Sequence, residues 1–237
     1  VGSKIAIEEK VEHDFSKILF PAEIWPEIEI CIFHAPCSDG TAAAFVVGSV
    51  FGGCQFFGVN RGGTGDMYLP TGLEDKVVLL VDFVYSESLM TELIQTAKRV
   101  FIIDHHDSEI ALLDKLGFQR GVDLIFSLDF CASLLAWKFF RPHKSPPLLY
   151  SYINDNDTGQ WALTNVGKFV SGFAVQGVVL GPGWSRFSDF SNFEIAVNFD
   201  RKFILSMILL GTIAYEIEWR DVYLEAQRCV AKRLRVA

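Results

Sequence analysis

The chain has 237 residues, of which half are hydrophobic, and its formal net charge is −8 at pH 7. This length allows one large domain, or one domain with a smaller appendage. A negatively charged surface repels phosphate backbones, so we exclude duplex nucleic acid as a partner, whereas a small phosphate ester held by metal ions remains compatible with it.

The first half of the chain alternates between short apolar runs and helix-like segments. The apolar runs predict strands at 29–34, 54–59, 77–83, 99–104 and 121–128. Helices are predicted at 41–50, 86–98 and 108–116, and a glycine-rich loop at 61–75. This alternation predicts an α/β fold, with an open, mainly parallel five-stranded sheet and helices on both faces.

The second half of the chain is predicted to be mostly helical. Helices are expected at 132–140, from 148 to about 153, at 187–199 and at 201–235. We therefore divide the chain into a domain at 1–163 and a helical, linker-like C-terminal segment at 164–237.

Two further features concern the location of the protein. The five cysteines are odd in number and form no CxxC pair, which indicates an intracellular, cytoplasmic protein with reduced thiols and no zinc ribbon. The most apolar late stretch, 203–215, is too short and too interrupted to span a bilayer, so no membrane partner is predicted.

Side chains that can bind metals cluster at the ends of the predicted strands. His34 ends the first strand and Asp39 follows it, Asp82 ends the third strand, and His105 follows the fourth. Because ligands bind outside the carboxyl ends of parallel strands, we expect these side chains to converge on one sheet edge. Asp157 lies in a predicted polar turn, 154–159, after a helix.

The mixture of imidazole and carboxylate ligands favours Mn, Zn, Fe or Co over Ca. Two such cations a few Å apart can hold a phosphoryl group and lower the pKa of a bridging water. Asp82, alone at the end of a very apolar strand, is placed to bridge them.

Some of these residues also have simpler interpretations. Asp82 could cap a helix, and Asp157 with the following Thr-Gly could form a turn. We interpret Cys37 as a neutral loop side chain in preference to a soft ligand, because its neighbours are oxygen ligands. Cys131 begins a helix, but no base is paired with it, so a cysteine nucleophile is rejected.

Five motifs in chain order resemble those of the DHH phosphoesterase family. They are HAPCSDGTAAA, LLVDF, IIDHH, CASLLAW and YINDNDTGQW, and the resemblance covers about residues 28–161. It implies five metal ligands: His34, Asp39, Asp82, His105 and Asp157. Asp82 would bridge two cations. The implied cofactor is a divalent metal, Mn²⁺ first and then Mg²⁺, Co²⁺ or Zn²⁺.

The resemblance also implies roles for three residues beside the metals. Asp104 would orient a histidine. His106 would face the phosphate as a hydrogen-bond or proton donor. Ser133 and the start of its helix would offer N–H groups to a substrate anion.

The resemblance implies a metal-dependent phosphoesterase that hydrolyses a phosphodiester or phosphoanhydride with metal-activated water. The substrate would be a nucleotide, a short oligonucleotide, a cyclic dinucleotide or a polyphosphate. The sequence leaves the choice among these open, as it does the oligomeric state.

Two departures from the family pattern favour a second interpretation. The first motif contains only Asp39 where many members have two aspartates, and no motif of the DHH-associated C-terminal domain follows residue 161. The alternative is a catalytically weakened DHH-fold protein that binds phosphate or nucleotide for regulation. A third interpretation, an unrelated nucleotide-binding α/β module, would require a GxGxxG loop after the first strand, which the sequence lacks.

Overall fold

The computed structural model describes residues 5–21, 25–60, 68–117, 119–180, 190–198 and 200–213. The described strands form one sheet: β1 Ile30–His34, β2 Gln55–Val59, β3 Val77–Val81, β4 Arg99–Asp104 and β5 Val122–Phe126. Their order across the sheet is β2-β1-β3-β4-β5, and every neighbouring pair is parallel.

The helices follow the strands in the order expected of a parallel sheet. They are α1 Ser38–Gly48, α2 Glu87–Thr96, α3 Ile110–Leu116, α4 Ala132–Phe140, α5 Leu148–Asp157, α6 Val166–Leu180, α7 Phe190–Asn198 and α8 at 200–213. A short 3₁₀ turn, Asp107–Glu109, precedes α3. Within the described part of the chain, no helix combines the length and the apolar character needed to cross a membrane.

The two faces of the sheet are covered by different helices. Successive strand residues point to opposite faces. One apolar cluster contains α1, α4 and α5 together with Val77, Leu79 and Val81 of β3. The other contains α2 and α3 together with Val78 and Leu80. The predicted α/β fold, with a parallel five-stranded sheet and helices on both faces, is therefore confirmed.

Helix α5 differs from the sequence prediction at the candidate site. The predicted polar turn at 154–159 is wrong in its first part, because α5 continues through Asp157. Asn154 Oδ1 accepts the N–H of Cys131 at 2.9 Å, and Asp155 accepts two N–H groups from the chain beyond the helix at 2.9 and 3.0 Å. Since these side chains bond elsewhere, they do not compete for the backbone groups of the helix.

The described helices after residue 164 pack on the core of the sheet. Helices α6, α7 and α8 share the apolar cluster that contains α1 and α4. A Cβ on Gly172 of α6 would overlap the carbonyl oxygen of Met207 in α8, so these helices approach closely. Residues 214–237, and with them part of the helix predicted at 201–235, lie outside the described residues.

Candidate metal centre

The candidate centre lies where the strand order reverses direction. The chain passes from β1 to β2 on one side and, later, from β3 to β4 and β5 on the other, so β1 and β3 are neighbours at a topological switch point. Crevices for ligands form outside the carboxyl ends of strands at such points. His34 ends β1, Asp82 follows β3, and His105 follows β4.

Three carboxylates surround one histidine nitrogen. Nε2 of His105 lies 3.0 Å from Oδ2 of Asp157, 3.2 Å from Oδ1 of Asp82 and 3.7 Å from Oδ2 of Asp39. One ring nitrogen can donate only one proton. Hydrogen bonding by His105 therefore cannot satisfy all three carboxylates.

These distances fit a shared cation. Two ligand atoms that each lie about 2.1 Å from one ion are about 3.0 Å apart at a right angle and about 3.4 Å apart at a tetrahedral angle. Ligand atoms of Asp39, Asp82, His105 and Asp157 all lie within 4.8 Å of one another. The donor set of imidazole and carboxylates is one that divalent transition metals accept.

The charge of the group also favours a cation. Asp39 and Asp82 are 0% and 1% exposed, and in the described part of the chain no lysine or arginine forms an ion pair with them or with Asp157. Even with His105 protonated, three ionised carboxylates would leave two negative charges without a lysine or arginine partner. Buried charges without partners are strongly unfavourable, so a divalent cation would stabilise this arrangement.

The pKa values shift as expected for crowded, buried carboxylates. Burial, together with the charges of Asp82 and Asp157, raises the pKa of Asp39 to about 7. Burial opposes ionisation of Asp82 as well, but hydrogen bonds from His105 and His34 hold the pKa of that carboxyl well below its usual range. Burial disfavours the protonated form of His105, but hydrogen bonds to Asp157 and Asp82 outweigh it and raise the pKa of His105 to about 11.

Asp39 is fixed by the start of helix α4. Its Oδ2 accepts the N–H of Ala132 at 2.8 Å, and its Oδ1 accepts that of Ser133 at 2.9 Å. The partial positive charge of a helix N-terminus stabilises such an anion. The family resemblance implies that Ser133 and this helix start offer N–H groups to a substrate anion. In the structure the helix start holds a carboxylate of the protein itself, and Ser133 is fully buried.

The backbone around Asp82 is tightly constrained. Asp82 has a positive φ of 66°, which costs a non-glycine residue about 1–3 kcal/mol. Gly40 lies directly beside it: a Cβ there would overlap the carbonyl oxygen of His34 and lie 3.1 Å from Oδ2 of Asp82. The first turn of α1 therefore requires glycine at this position to approach the carboxylate.

Asp104 orients His106. Its Oδ1 accepts a hydrogen bond from Nδ1 of His106 at 2.7 Å and another from the backbone N–H of His105 at 2.8 Å. The hydrogen bond to Asp104 raises the pKa of His106 despite partial burial of the ring. A protonated His106 can therefore donate a proton at its second nitrogen.

His34 and Cys37 lie beside the carboxylate cluster. Nδ1 of His34 is 3.2 Å from Oδ2 of Asp82. Burial, together with the charges of Asp82 and Asp39, raises the pKa of the Cys37 thiol well above its ordinary value. Burial does the same for Cys131, so neither cysteine is a thiolate nucleophile without a cation nearby.

A pocket of about 630 Å³ opens next to the cluster. His34, Cys37 and Asp157 are among its polar lining residues. Sequence reasoning missed the apolar part of the lining: Ile153, Phe169, Val170 and Phe173. The signal was weak, because apolar residues of a helix such as α6 usually indicate core packing.

Comparison with known proteins shows similarity to uncharacterized proteins and no matching family. No protein-family profile matches the chain. An uncharacterized protein of Acanthamoeba polyphaga mimivirus is 25% identical over 168 residues, which are 63% of this chain and 38% of the viral protein. The chain thus spans well under half of that relative. A crystal structure of an uncharacterized protein from Helicobacter pylori has a similar fold, with a TM-score of 0.51 and 14% identity over 79% of this chain and 63% of that one.

Proposed function

We propose that this protein is a metal-dependent phosphoesterase of the DHH type, which hydrolyses a phosphodiester or phosphoanhydride bond with metal-activated water. The convergence of Asp39, Asp82, His105 and Asp157 on one sheet edge, where His105 alone faces three carboxylates and no lysine or arginine of the described residues pairs with them, is the observation that supports this most strongly. The unpaired thiols of the described cysteines fit an intracellular, cytoplasmic location, which we include in the proposal.

The protein side chains divide the work of binding and catalysis. Bound divalent cations would supply Lewis acidity and a hydroxide nucleophile at neutral pH. Asp82 and His105 would bind the cations, and Asp104 fixes the ring of His106. His106 then donates a hydrogen bond or a proton to the phosphate, which stabilises charge that develops as the bond breaks.

The pocket supports a small, nucleotide-like substrate. Its apolar lining, which includes Phe169 and Phe173, suits an uncharged group such as a base, and Asn156 adds an amide to the lining. No lysine or arginine is among the described residues that line it, so a long polyphosphate would find little charge to bind. We therefore favour nucleotides and short oligonucleotides over polyphosphate.

The first experiment measures metal content and hydrolysis in the same preparation. Protein purified without chelator should contain Mn or another divalent transition metal, and it should hydrolyse a chromogenic phosphodiester and a dinucleotide faster than polyphosphate or a long single strand. Absence of bound metal, together with no metal-stimulated hydrolysis, would show that the proposal is wrong.

A variant pair separates catalysis from metal binding. His106→Ala should keep the metal and lose about 10²–10³-fold in kcat, because a group that acts on the transition state is removed. His143→Ala replaces an exposed histidine and serves as the matched control, with unchanged rate. Loss of the bound metal in His106→Ala would contradict this division of roles.

One observation favours a second candidate function, a regulatory protein that binds phosphate or nucleotide with little turnover. Both carboxylate oxygens of Asp39 are already held by backbone N–H groups, which leaves it less free to hold a metal. Such a protein would bind metal and nucleotide but would show no metal-stimulated hydrolysis of any of the four substrate types.

A further inference from the structure

The carboxylate of Asp82 faces two groups of side chains, one on each oxygen. Oδ1 lies 3.2 Å from Nε2 of His105, on the side of Asp39 and Asp157. Oδ2 lies 3.2 Å from Nδ1 of His34. A carboxylate whose two oxygens meet separate ligand groups is arranged to bridge two cations a few Å apart.

Cys37 completes a group of three on the His34 side. Ligand atoms of His34, Cys37 and Asp82 all lie within 4.8 Å of one another. Cys37 occupies the N-cap position of α1, but its side chain makes no capping hydrogen bond. It instead lines the pocket next to His34. The sulfur therefore lies where a ligand to a cation beside Asp82 would be.

We propose that His34, Cys37 and Asp82 bind a second cation, with Cys37 as a thiolate ligand. This inference rests on the proposed metal-dependent function, in which the group around His105 holds the first cation. It gives Cys37 the soft-ligand role that sequence reasoning ranked second to a neutral loop side chain.

The charges of the combined cluster are consistent with two divalent ions. Three carboxylates and one thiolate carry four negative charges, which two divalent cations balance. The two positions differ in chemistry, since the group around His105 contains three carboxylates, whereas the group around His34 contains an imidazole, a thiolate and one shared carboxylate. The second position therefore prefers Zn²⁺ or Co²⁺, and the first accepts Mn²⁺.

Cobalt makes the thiolate visible independently of activity. The full chain, stripped of metal and kept reduced with a phosphine, is titrated with Co²⁺ while bound cobalt and the near-ultraviolet absorption are measured. Two ions per chain are expected, and a sulfur-to-cobalt charge-transfer band should accompany one of them.

Three cysteine variants test the assignment. Cys37→Ser should lose the band and one of the two ions. Cys37→Asp should keep two ions without the band, and its carboxylate should shift the preference of the second position from Zn²⁺ toward Mn²⁺. Cys54→Ser, which replaces another partly buried cysteine, just before the amino end of β2, should retain both ions and the band.

The outcomes distinguish this inference from the function on which it rests. A band that persists in Cys37→Ser overturns the thiolate assignment, and so does wild-type protein that binds cobalt without any band. In both cases the proposed phosphoesterase stands. Wild-type protein that binds no cobalt overturns both proposals.

Discussion

The sheet edge and the helical region after residue 147 contribute to the candidate centre in different ways. The sheet edge supplies Asp39, Asp82 and His105, which are 0%, 1% and 8% exposed. Backbone N–H groups and neighbouring side chains fix each of them. The helical region supplies Asp157, whose side chain is 26% exposed at the last residue of α5.

This difference indicates a division of labour. Ligands that buried hydrogen bonds already hold in place are preorganised, so ordering their side chains costs little free energy when a cation binds. Asp157 and the apolar wall of α6 border the pocket instead. In the proposed metal site, the sheet edge would therefore set metal affinity, and the helical region would shape access and substrate choice.

The largest effect is expected when the two regions are compared by ligand removal. Asp82→Asn should cost about 3–5 kcal/mol of metal-binding free energy, on the order of a thousandfold. The reason is that the variant removes the buried negative charge that contacts both His34 and His105. Asp157→Asn should cost less, about ten- to a hundredfold, because its side chain is 26% exposed and solvent weakens its interaction with a cation. Calorimetric titration with Mn²⁺ measures both.

A matched control for these variants is Asp107→Asn, which changes an exposed acid two residues from His105. Its metal affinity should equal that of the wild type. If Asp157→Asn loses as much affinity as Asp82→Asn, the two regions do not differ in the way described.

The next effect concerns the close packing of the sheet edge. Gly40→Ala places a Cβ on the rigid carbonyl of His34, so unfolding free energy should fall by about 3 kcal/mol. Gly52→Ala is the control, because a Cβ there meets nothing within 4 Å, and its stability should stay within about 0.5 kcal/mol. Urea denaturation followed by circular dichroism measures both. Equal unfolding free energies of the two variants would show that the first turn of α1 can shift away from the carbonyl of His34.

A smaller effect tests whether the helical region is part of the same folding unit. Asp200 of α8 accepts the N–H groups of Leu148 and Leu149 at 2.8 and 2.7 Å and so caps α5. Asp200→Ala should cost about 1 kcal/mol in a single unfolding transition, whereas Glu194→Ala, at an exposed position of α7, should be neutral. Two separate transitions would instead support a detachable linker-like segment.

The smallest effect is a pH dependence of stability from the N-terminal segment. His13 contacts Ser151 at 3.0 Å, and burial lowers the pKa of His13. Its contribution is therefore present above the unfolded pKa of about 6.5 and is lost as pH falls through the folded pKa. Because the ring is partly exposed, this contribution should be below about 1 kcal/mol.

Urea denaturation at pH 7.5 and pH 5.5 checks this prediction. The loss of stability at the lower pH should be smaller in His13→Gln than in the wild type. His143→Gln, at an exposed position, should behave like the wild type. If unfolding free energy depends on pH identically in all three proteins, His13 does not contribute to that dependence.

Much of the candidate site follows from sequence because strand ends carry a local signal. The apolar runs before Asp82 and before Asp104-His105-His106 predicted β3 and β4, and parallel pairing brings their carboxyl ends to one edge. The order of the motifs therefore predicted which side chains would meet. Even there, the two-sided environment of the Asp82 carboxylate depends on distances that the sequence does not contain.

Helix ends near the site are determined by contacts between distant segments. The end of α5 depends on the hydrogen-bond partners of Asn154 and Asp155. The partner of Asn154 is the backbone N–H of Cys131, 23 residues away in the chain. The anion at the start of α4 is Asp39, more than 90 residues away in sequence. Hydrophobic periodicity reports only which face of a local element is buried, so it cannot identify these partners.

By itself, then, the sequence determined the strand pattern, the α/β class and the set of polar side chains at the sheet edge. Only the tertiary structure decided which carboxylates share the nitrogen of His105, that Ser133 is buried behind Asp39, and that Cys37 lies beside His34. The physical reason is that local propensities act over a few residues, whereas a ligand cluster is fixed by packing and hydrogen bonds between strands and helices far apart in the chain.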